Sequence, residues 1–454
     1  MRALVLYVGL LIVAALVAWG VVSAGDGLVA TGAAPTGVAT ASSSKGAGIG
    51  HVALALAVVV AAARFAGLLA QRVLGQPPVV GEIAAGILLG PSLLRGVAPD
   101  IAEALVPLST LPALGTLAQL GVVLFMALVG VELDLRALSG RARETLAVSH
   151  AGIVVPFTLG GAAALWLYPR LGVSGTDFTA FALFCGAALS VTAFPVLARI
   201  LADQGLTRTP LGVTAIACAA ADDVTAWALL AGVVALTRAD SGALVTTLIG
   251  VVAFGAVAWF GLRRALEWLE RHATLSDTSR FAGFLGLALV SAWATELIGV
   301  HALFGAFVTG ALVNAEGHIA AAVTARLRDL VGVLLLPTFF VVTGLRTDVG
   351  SLDGAADLLA LGVLLAVAVL GKLGGTWLAG LWVGMPSRFA AALGLLMNTR
   401  GLMGLVVLDV GLSMGLLSPR LFTLFVLVAL LTTAMTGPLL RRLSPVASAE
   451  GDPR

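Results

Sequence analysis

Two adjacent carboxylates, Asp222 and Asp223, sit near the middle of Leu211–Thr237, a run of membrane length whose other residues are apolar or small. A lone ionised side chain at that depth of a bilayer costs on the order of 2.5 to 3.5 kcal/mol even on insertion scales, and two neighbours also repel each other. Neighbours on a helix point roughly 100° apart, so the two carboxyls cannot share one partner; one is expected to face a counter-ion and the other a cavity. Such a pair adds nothing to packing and suits the movement of cations or protons. The matching charge is Lys372, in the middle of the segment 357–384. Of the 26 basic residues only Lys45 and Lys372 are lysine, and a desolvated lysine, unlike arginine, can release its proton. Lys372 is expected as the counter-ion of one aspartate. Snorkelling to an interface is the plainer alternative, made harder by the roughly dozen residues to either span end.

Two further segments put polar groups and helix breakers inside apolar runs. S-V-T-A-F-P-V-L-A-R, Ser190–Arg199, places Pro195 beside Ser190 and Thr192, and proline removes an amide donor while crowding the preceding turn. M-N-T-R-G-L-M-G, Met397–Gly404, places Asn398, Thr399, Arg400 and two glycines in another run. Crossed breaks of this kind offer half-helix ends and loose carbonyls to an ion. Arg400 is expected either to neutralise the aspartates or to sit against a helix C-terminal end. Glu82, Glu296 and His301 lie in or at the ends of apolar runs and read first as interhelical hydrogen-bonding groups, second as site residues.

The elements that position these groups are membrane helices. The chain has 454 residues, 59% hydrophobic and 11% charged, with 55 glycines and a mean hydropathy of +1.07, which specifies an all-α polytopic membrane protein and excludes a soluble core. A net charge of +2 gives no reason to expect nucleic acid. Cys185 and Cys218 fall inside apolar runs and read as small packed hydrophobes rather than a disulfide. Residues 1–49 comprise an apolar segment, Leu4–Val22, compatible with a cleaved signal peptide or an extra helix, and a Gly/Ala/Ser/Thr-rich linker. Thirteen core spans follow, near 50–74, 78–94, 111–136, 145–168, 177–203, 209–237, 243–266, 281–298, 302–318, 327–347, 357–384, 387–413 and 419–441. Alternating the loops puts fifteen arginines on one face and only Arg95, Arg170, Arg238, Arg346 and Arg420 on the other. The arginine-rich face, with the C-terminus, is therefore expected to be cytoplasmic in a multi-pass cell-membrane protein.

The halves resemble each other. V-G-E-I-A-A-G-I-L-L at Val80–Leu89 matches F-G-A-F-V-T-G-A-L-V at Phe304–Val313 in glycine spacing, and G-V-E-L-D-L at Gly130–Leu135 matches G-L-R-T-D-V at Gly344–Val349. Each pair lies seven spans apart, and an odd separation means opposite orientation, so inverted-topology repeats are expected over 50–237 and 281–442, with a connecting helix and loop over 238–280 and a short tail, 443–454. Chance likeness of glycine-rich helices is the bland alternative.

These residues carry a family resemblance. A-D-D-V-T-A-W (Ala221–Trp227), S-V-T-A-F-P-V-L-A-R (Ser190–Arg199), T-E-L-I-G-V-H-A-L-F-G-A-F (Thr295–Phe307), G-K-L-G-G (Gly371–Gly375) and N-T-R-G (Asn398–Gly401) resemble the monovalent cation/proton antiporters of the sodium/hydrogen exchanger superfamily, from about His51 to Arg442. Within it the chain is most similar to the branch of bacterial potassium-efflux antiporters and plant cation/proton exchangers. The resemblance implies a homodimer in the lipid bilayer whose core bundle, with two crossed broken helices, slides against a fixed panel to exchange Na⁺ or K⁺ for protons without a cofactor. By motif position Asp223 is implied as the carboxylate for the alkali cation and the proton, Asp222 as partner of Lys372, and Thr192 as a residue of the first break. Two aspartates imply electrogenic exchange. No cytosolic regulatory domain is expected after Arg442, in contrast with many relatives.

Other classes fit less well. An intramembrane aspartyl protease needs two aspartates facing each other from different helices, and here they are consecutive. A cation channel or a proton-coupled symporter on the same fold is the nearer alternative, separable by proton coupling and saturation.

Overall fold

The computed structural model describes residues 2–30, 48–132, 142–207, 209–238, 241–272, 274–298, 301–314, 316–352 and 354–447. The linker 31–47, residues Leu133–Leu135 of the second repeated motif and the end of the expected tail, 448–454, lie outside them. No β-strand occurs among the described residues. In order the helices are α1 (Arg2–Gly25), α2 (Ile49–Val73), α3 (Pro78–Leu89), α4 (Leu94–Val97), α5 (Pro99–Leu105), α6 (Leu111–Glu132), α7 (Ala142–Leu171), α8 (Phe178–Ser190), α9 (Phe194–Asp203), α10 (Pro210–Arg238), α11 (Ser241–Val257), α12 (Arg263–Arg271), α13 (Asp277–Ile298), α14 (Ala302–Ala311), α15 (His318–Leu330), α16 (Leu336–Leu345), α17 (Ala355–Val369), α18 (Gly375–Trp382), α19 (Ser387–Met397), α20 (Leu402–Ser413) and α21 (Pro419–Ala447).

In hydrocarbon every backbone N–H and C=O must be satisfied within the protein, so apolar runs of this length become helices. Four of them open on proline, Pro78, Pro99, Pro210 and Pro419, at the first position, where the missing N–H has no intrahelical partner to lose. Asp177 caps α8 by accepting from the Ala180 amide at 2.9 Å. Ten helical stretches among the described residues are long and apolar enough to cross a membrane. The 29-residue α10 extends about 43 Å at 1.5 Å per residue, more than a hydrocarbon core of about 30 Å.

Each expected span contains helix, yet several are not single rods. The segment 78–94 stops at Leu89, and α4, α5 and a 3₁₀ turn fill the connection to α6. Single π-helical turns, Ala258–Leu262, Val331–Leu335 and Leu370–Gly374, join α11 to α12, α15 to α16 and α17 to α18. The spans 177–203 and 387–413 are the two broken helices, α8/α9 and α19/α20. At the N-terminus α1 lies against α7 and α8.

The helices form two packed groups. One contains α2, α3, α6 and α13 to α16; the other contains α7 to α10 and α17 to α21, with α1 on its outside. In the first group the contacts pair off between the two halves of the sequence. Helix α3 crosses α16 where Gly86 meets Gly344: a Cβ on Gly86 would lie 2.2 Å from the Val341 carbonyl oxygen. Helix α14 crosses α6 where Gly310 meets Gly130, and a Cβ on Gly310 would lie 2.1 Å from the Ala127 oxygen. Gly81 approaches the Ala66 oxygen of α2 as Gly305 approaches the Ser291 oxygen of α13. These are the glycines that the two repeated sequence motifs align. Only glycine permits backbones this close, and such crossings substitute for the hydrophobic effect that lipid removes.

The ends of the bundle can be told apart. Gly75, just before α3, faces the Arg441 guanidinium of α21, and the Gln204 side-chain amide after α9 donates to the Gly437 carbonyl at 3.4 Å, so these segments share the end reached by the last helix. At the other end Ser418 donates to the Leu171 carbonyl at 2.9 Å and Arg346 pairs with Asp409.

Gly86→Ala and Gly310→Ala must each force two helices apart and are expected to cost about 1–3 kcal/mol by overpacking. Gly286, with nothing within 4 Å of an added Cβ, provides the control. Thermal melts in detergent should fall for the first two variants and not for Gly286→Ala; equal melts would mean the crossings are loose.

Candidate functional site

Helix α8 ends at Ser190, the backbone runs extended from Val191 (φ −69°, ψ 133°), and α9 begins at Phe194. Helix α19 ends at Met397, and Asn398–Gly401 lead to α20. The two interruptions cross: the Ala193 amide donates to the Thr399 carbonyl at 3.0 Å, and the Thr192 hydroxyl lies 3.1 Å from the Met397 carbonyl oxygen. Pro195 stands as the second residue of α9, so the interruption precedes the proline, in the residues whose helical pairing a proline disturbs.

A helix that stops inside the protein leaves its last carbonyls unpaired at the negative end of its dipole. Two cations take the end of α8. The Arg400 guanidinium donates to the Ala188 carbonyl at 2.8 Å and to that of Leu189, while Lys372 Nζ donates to the Ser190 carbonyl at 2.5 Å. The Arg400 backbone is held in turn by Thr433, whose hydroxyl accepts from the Arg400 amide at 3.0 Å and donates to the Arg400 carbonyl. Of the two sequence alternatives for Arg400, the helix-end role is the one realised.

The same Lys372 ammonium lies 2.7 Å from Asp222 Oδ2. Both side chains are completely buried, so the lysine does not snorkel. Thr192 also reaches Asp222 Oδ2, at 2.6 Å, and Ser149 of α7 reaches Asp222 Oδ1, also at 2.6 Å. Asp222 is thus a neutralised, fully bonded carboxylate. Its neighbour is the opposite: Asp223 is 3% exposed and its Oδ1 has no partner. Asn398, 1% exposed, has neither its amide oxygen nor its amide nitrogen paired. Each such group costs about 1–3 kcal/mol if left dry, and each directly follows in sequence a residue with an acceptor within hydrogen-bond distance of the Thr192 hydroxyl, Asp222 and Met397.

Other expected site residues are placed elsewhere. The Ser190 hydroxyl turns back to the Ala187 carbonyl at 2.9 Å, leaving only its carbonyl to the centre. Glu296, exposed at the end of α13, accepts from the Ala302 amide at 3.0 Å and caps α14 together with His301. Glu82 lies on α3, in the other helix group. Sequence reasoning missed Ser149, whose only signal is a serine in an apolar run, and the π-helical turn that carries Lys372, a feature frequent at functional positions. Among the described residues no group of three or more His, Cys, Asp or Glu could hold a metal ion; the donors at the breaks are hard oxygens of carboxylate, amide and backbone, suited to alkali cations.

Two cavities lie on the seam between the helix groups, at opposite ends. One of about 480 Å³ is lined by Gln119, Val234, Glu296, Phe339, Asp409 and Ser413, toward the Arg346–Asp409 end. The other, of about 170 Å³, is lined by Pro78, Glu82, Phe125, Val196, Pro337 and Phe340, toward the end of α21. Neither lining includes Asp222 or Asp223. Both aspartates are buried away from these two cavities.

The family model for the transmembrane sodium/hydrogen exchanger matches residues 59–444. The Na(+)/H(+) antiporter NhaS4 of Synechocystis is 39% identical over 394 residues, covering 86% of this chain and 96% of that protein. Cation/H(+) antiporter 18 of Arabidopsis thaliana is 39% identical over 81% of this chain and 46% of its own length, and K(+)/H(+) antiporter 1 of Saccharomyces cerevisiae is 31% identical over 83% and 44%; the match spans about half of these two relatives. With helices, breaks and buried charges where that family model runs, this chain belongs to the transmembrane sodium/hydrogen exchanger family.

Proposed function

We propose that the protein exchanges a monovalent cation, Na⁺ or K⁺, for protons across the cell membrane, with Asp223 as the carboxylate that the two ligands contest. The observation that carries this reading is the contrast between the aspartates. Asp222 is saturated by Lys372, Thr192 and Ser149, whereas Asp223 is buried with an unpaired oxygen, and the buried amide of Asn398 at the second break is unpaired as well. A proton or an alkali cation supplies what Asp223 lacks, and the two exclude each other there. An empty, ionised Asp223 is costly to carry through the closed state, so only the loaded site crosses.

The route is alternating access of the elevator type. The group with the breaks moves along the group held by glycine crossings, opening the site to one seam cavity and then the other. Residues 50–237 and 281–442 act as inverted repeats, supported by the paired glycine contacts, and a homodimer anchors the fixed groups. The C-terminus lies in the cytoplasm, by the arginine asymmetry, which puts the smaller seam cavity on the cytoplasmic side. A channel or symporter on this scaffold is separated by the same measurements, since only exchange is saturable and moves protons against the cation.

Asp223→Asn should abolish cation-dependent proton movement in proteoliposomes while the protein still inserts as a monodisperse species. Exchange at the wild-type rate in that variant would remove Asp223 from the mechanism. Running Li⁺, Na⁺, K⁺ and Rb⁺ against a pH dye in the wild type gives the selectivity.

Lys372→Gln takes the counter-ion from Asp222 and the donor from the Ser190 carbonyl. Losing one partner of a buried pair costs about 3–5 kcal/mol, so the variant should melt lower. We further propose that the Lys372 proton leaves as the cation binds; the residual flux of Lys372→Gln should then depend less on a clamped membrane potential than wild-type flux, because that titrating group has left the cycle. A wild-type flux indifferent to potential would reduce Lys372 to a structural tie.

Cysteine labels at Arg271 should react only from the cytoplasm and labels at Asp100 only from outside, against a quiet background because Cys185 and Cys218 are completely buried. Reversed labelling would overturn the orientation.

A further inference from the structure

Glu82 is the one acidic side chain buried in the fixed helix group that the site at the breaks does not use. It stands in the second turn of α3 and is 8% exposed. Among the described residues nothing donates a hydrogen bond to it, and its charged neighbour is Arg64 of α2. Its side chain forms part of two walls. On one side is the seam cavity of about 170 Å³, otherwise lined mostly by Pro78, Phe125, Val196, Pro337 and Phe340. On the other is a cavity of about 180 Å³ between α2 and α3, lined by Arg64, Gly67, Leu68, Gln71 and Pro78. Either has room for several waters.

The seam cavity ends against the crossed breaks. Val196, which lines it, packs on the second interruption: a Cβ on Gly401 would lie 2.4 Å from the Val196 side chain and 3.3 Å from the Ala193 methyl. One side chain therefore separates the carboxylate's cavity from the segment that carries Asn398, Thr399 and Arg400. A carboxylate more than nine-tenths buried, without a donor and against apolar walls, calls for a compensating positive charge. Arg64 lines the far cavity with it, without an ion pair or hydrogen bond between the two. On the seam side a mobile cation is what remains.

Building on the exchange reading above, we propose that Glu82 is a second, cytoplasmic-side binding site for the monovalent cation. It takes the ion, still partly hydrated, from the cytoplasm and holds it beside Val196 until the core group presents Asp223. The bare alternative is a structural tie between α2 and α3 through Arg64. The two differ in sidedness: a way-station acts on cytoplasmic cation alone, and a tie acts on neither face or on both.

The test uses the full chain in proteoliposomes of sorted orientation. Glu82→Gln, which keeps the side chain's shape, should raise the apparent KM for the cation at the cytoplasmic face about threefold or more relative to that at the outer face, and Glu82→Asp should recover part of the difference. Equal shifts on both faces, or no shift, would overturn the proposal. Glu82→Cys gives a readout that needs no transport. It should react with a small cationic thiol reagent added on the cytoplasmic side, faster than with an anionic one; a thiol silent from the cytoplasm overturns the proposal whatever the flux. A wild type that exchanges nothing, with Glu82→Cys still labelled from the cytoplasm, overturns the exchange reading itself and not the cavity.

Discussion

The structure depends on how the cut end of α8 is neutralised. Three consecutive carbonyls, Ala188, Leu189 and Ser190, point into the protein with no next turn to receive them, and Arg400 and Lys372 occupy all three. Water would do this at a surface for nothing. In an apolar interior it takes fixed cations, and fixed cations need anions in turn. Asp222 is the anion that balances Lys372. The broken helix, the lysine and the first aspartate thus balance one another, while Arg400 answers the helix end through backbone carbonyls and has no carboxylate partner among the described residues.

That closure explains why two carboxylates stand side by side. Asp222 is committed to the set and has no valence left for a transported ion. Asp223, turned about 100° around the same helix, escapes it and keeps an unpaired oxygen. Consecutive positions are the shortest sequence distance that leaves one carboxylate saturated and the next with an unpaired oxygen. In the exchange proposed above, that deficit is what a proton or a cation fills.

Much of this was legible beforehand because membrane burial makes polar residues conspicuous. Asp222, Lys372, Thr192, Asn398 and Arg400 stand out against apolar surroundings, and the structure places all of them at or beside the crossing. The pairing of Lys372 with Asp222 rested on the family resemblance, not on spacing, since 150 residues separate them. Ser149 was illegible because hydroxyls are common in membrane helices, where they satisfy their own preceding turn, as Thr295 and Thr432 do here. The π-helical turn at Leu370–Gly374 has no sequence signature beyond two glycines. Glu296 reads first as an interhelical hydrogen-bonding group and second as a site residue; it stands near the end of α13 and accepts from the Ala302 amide at the start of α14, as the first reading has it.

The two helix groups are held together by different physics. In the first group, glycines bring backbones into contact at the α3/α16 and α6/α14 crossings, where a shift of even an ångström would break close packing along both helices. In the second, the centre is polar and its hydrogen bonds lie within the group: Asp222, Ser149, Thr192, Lys372, Ser190, Ala193 and Thr399 all belong to it. Between the groups the seam is lined largely by Val122, Phe125, Val196, Phe339, Phe340 and Val406, with cavities at either end. The Arg346–Asp409 ion pair also joins the two groups at one end, so the movement proposed above must break that pair while the apolar side chains, which make no directional bonds, slide past one another. The elevator movement proposed above would run along this seam, with the Lys372–Asp222 pair enclosed in the group that carries it.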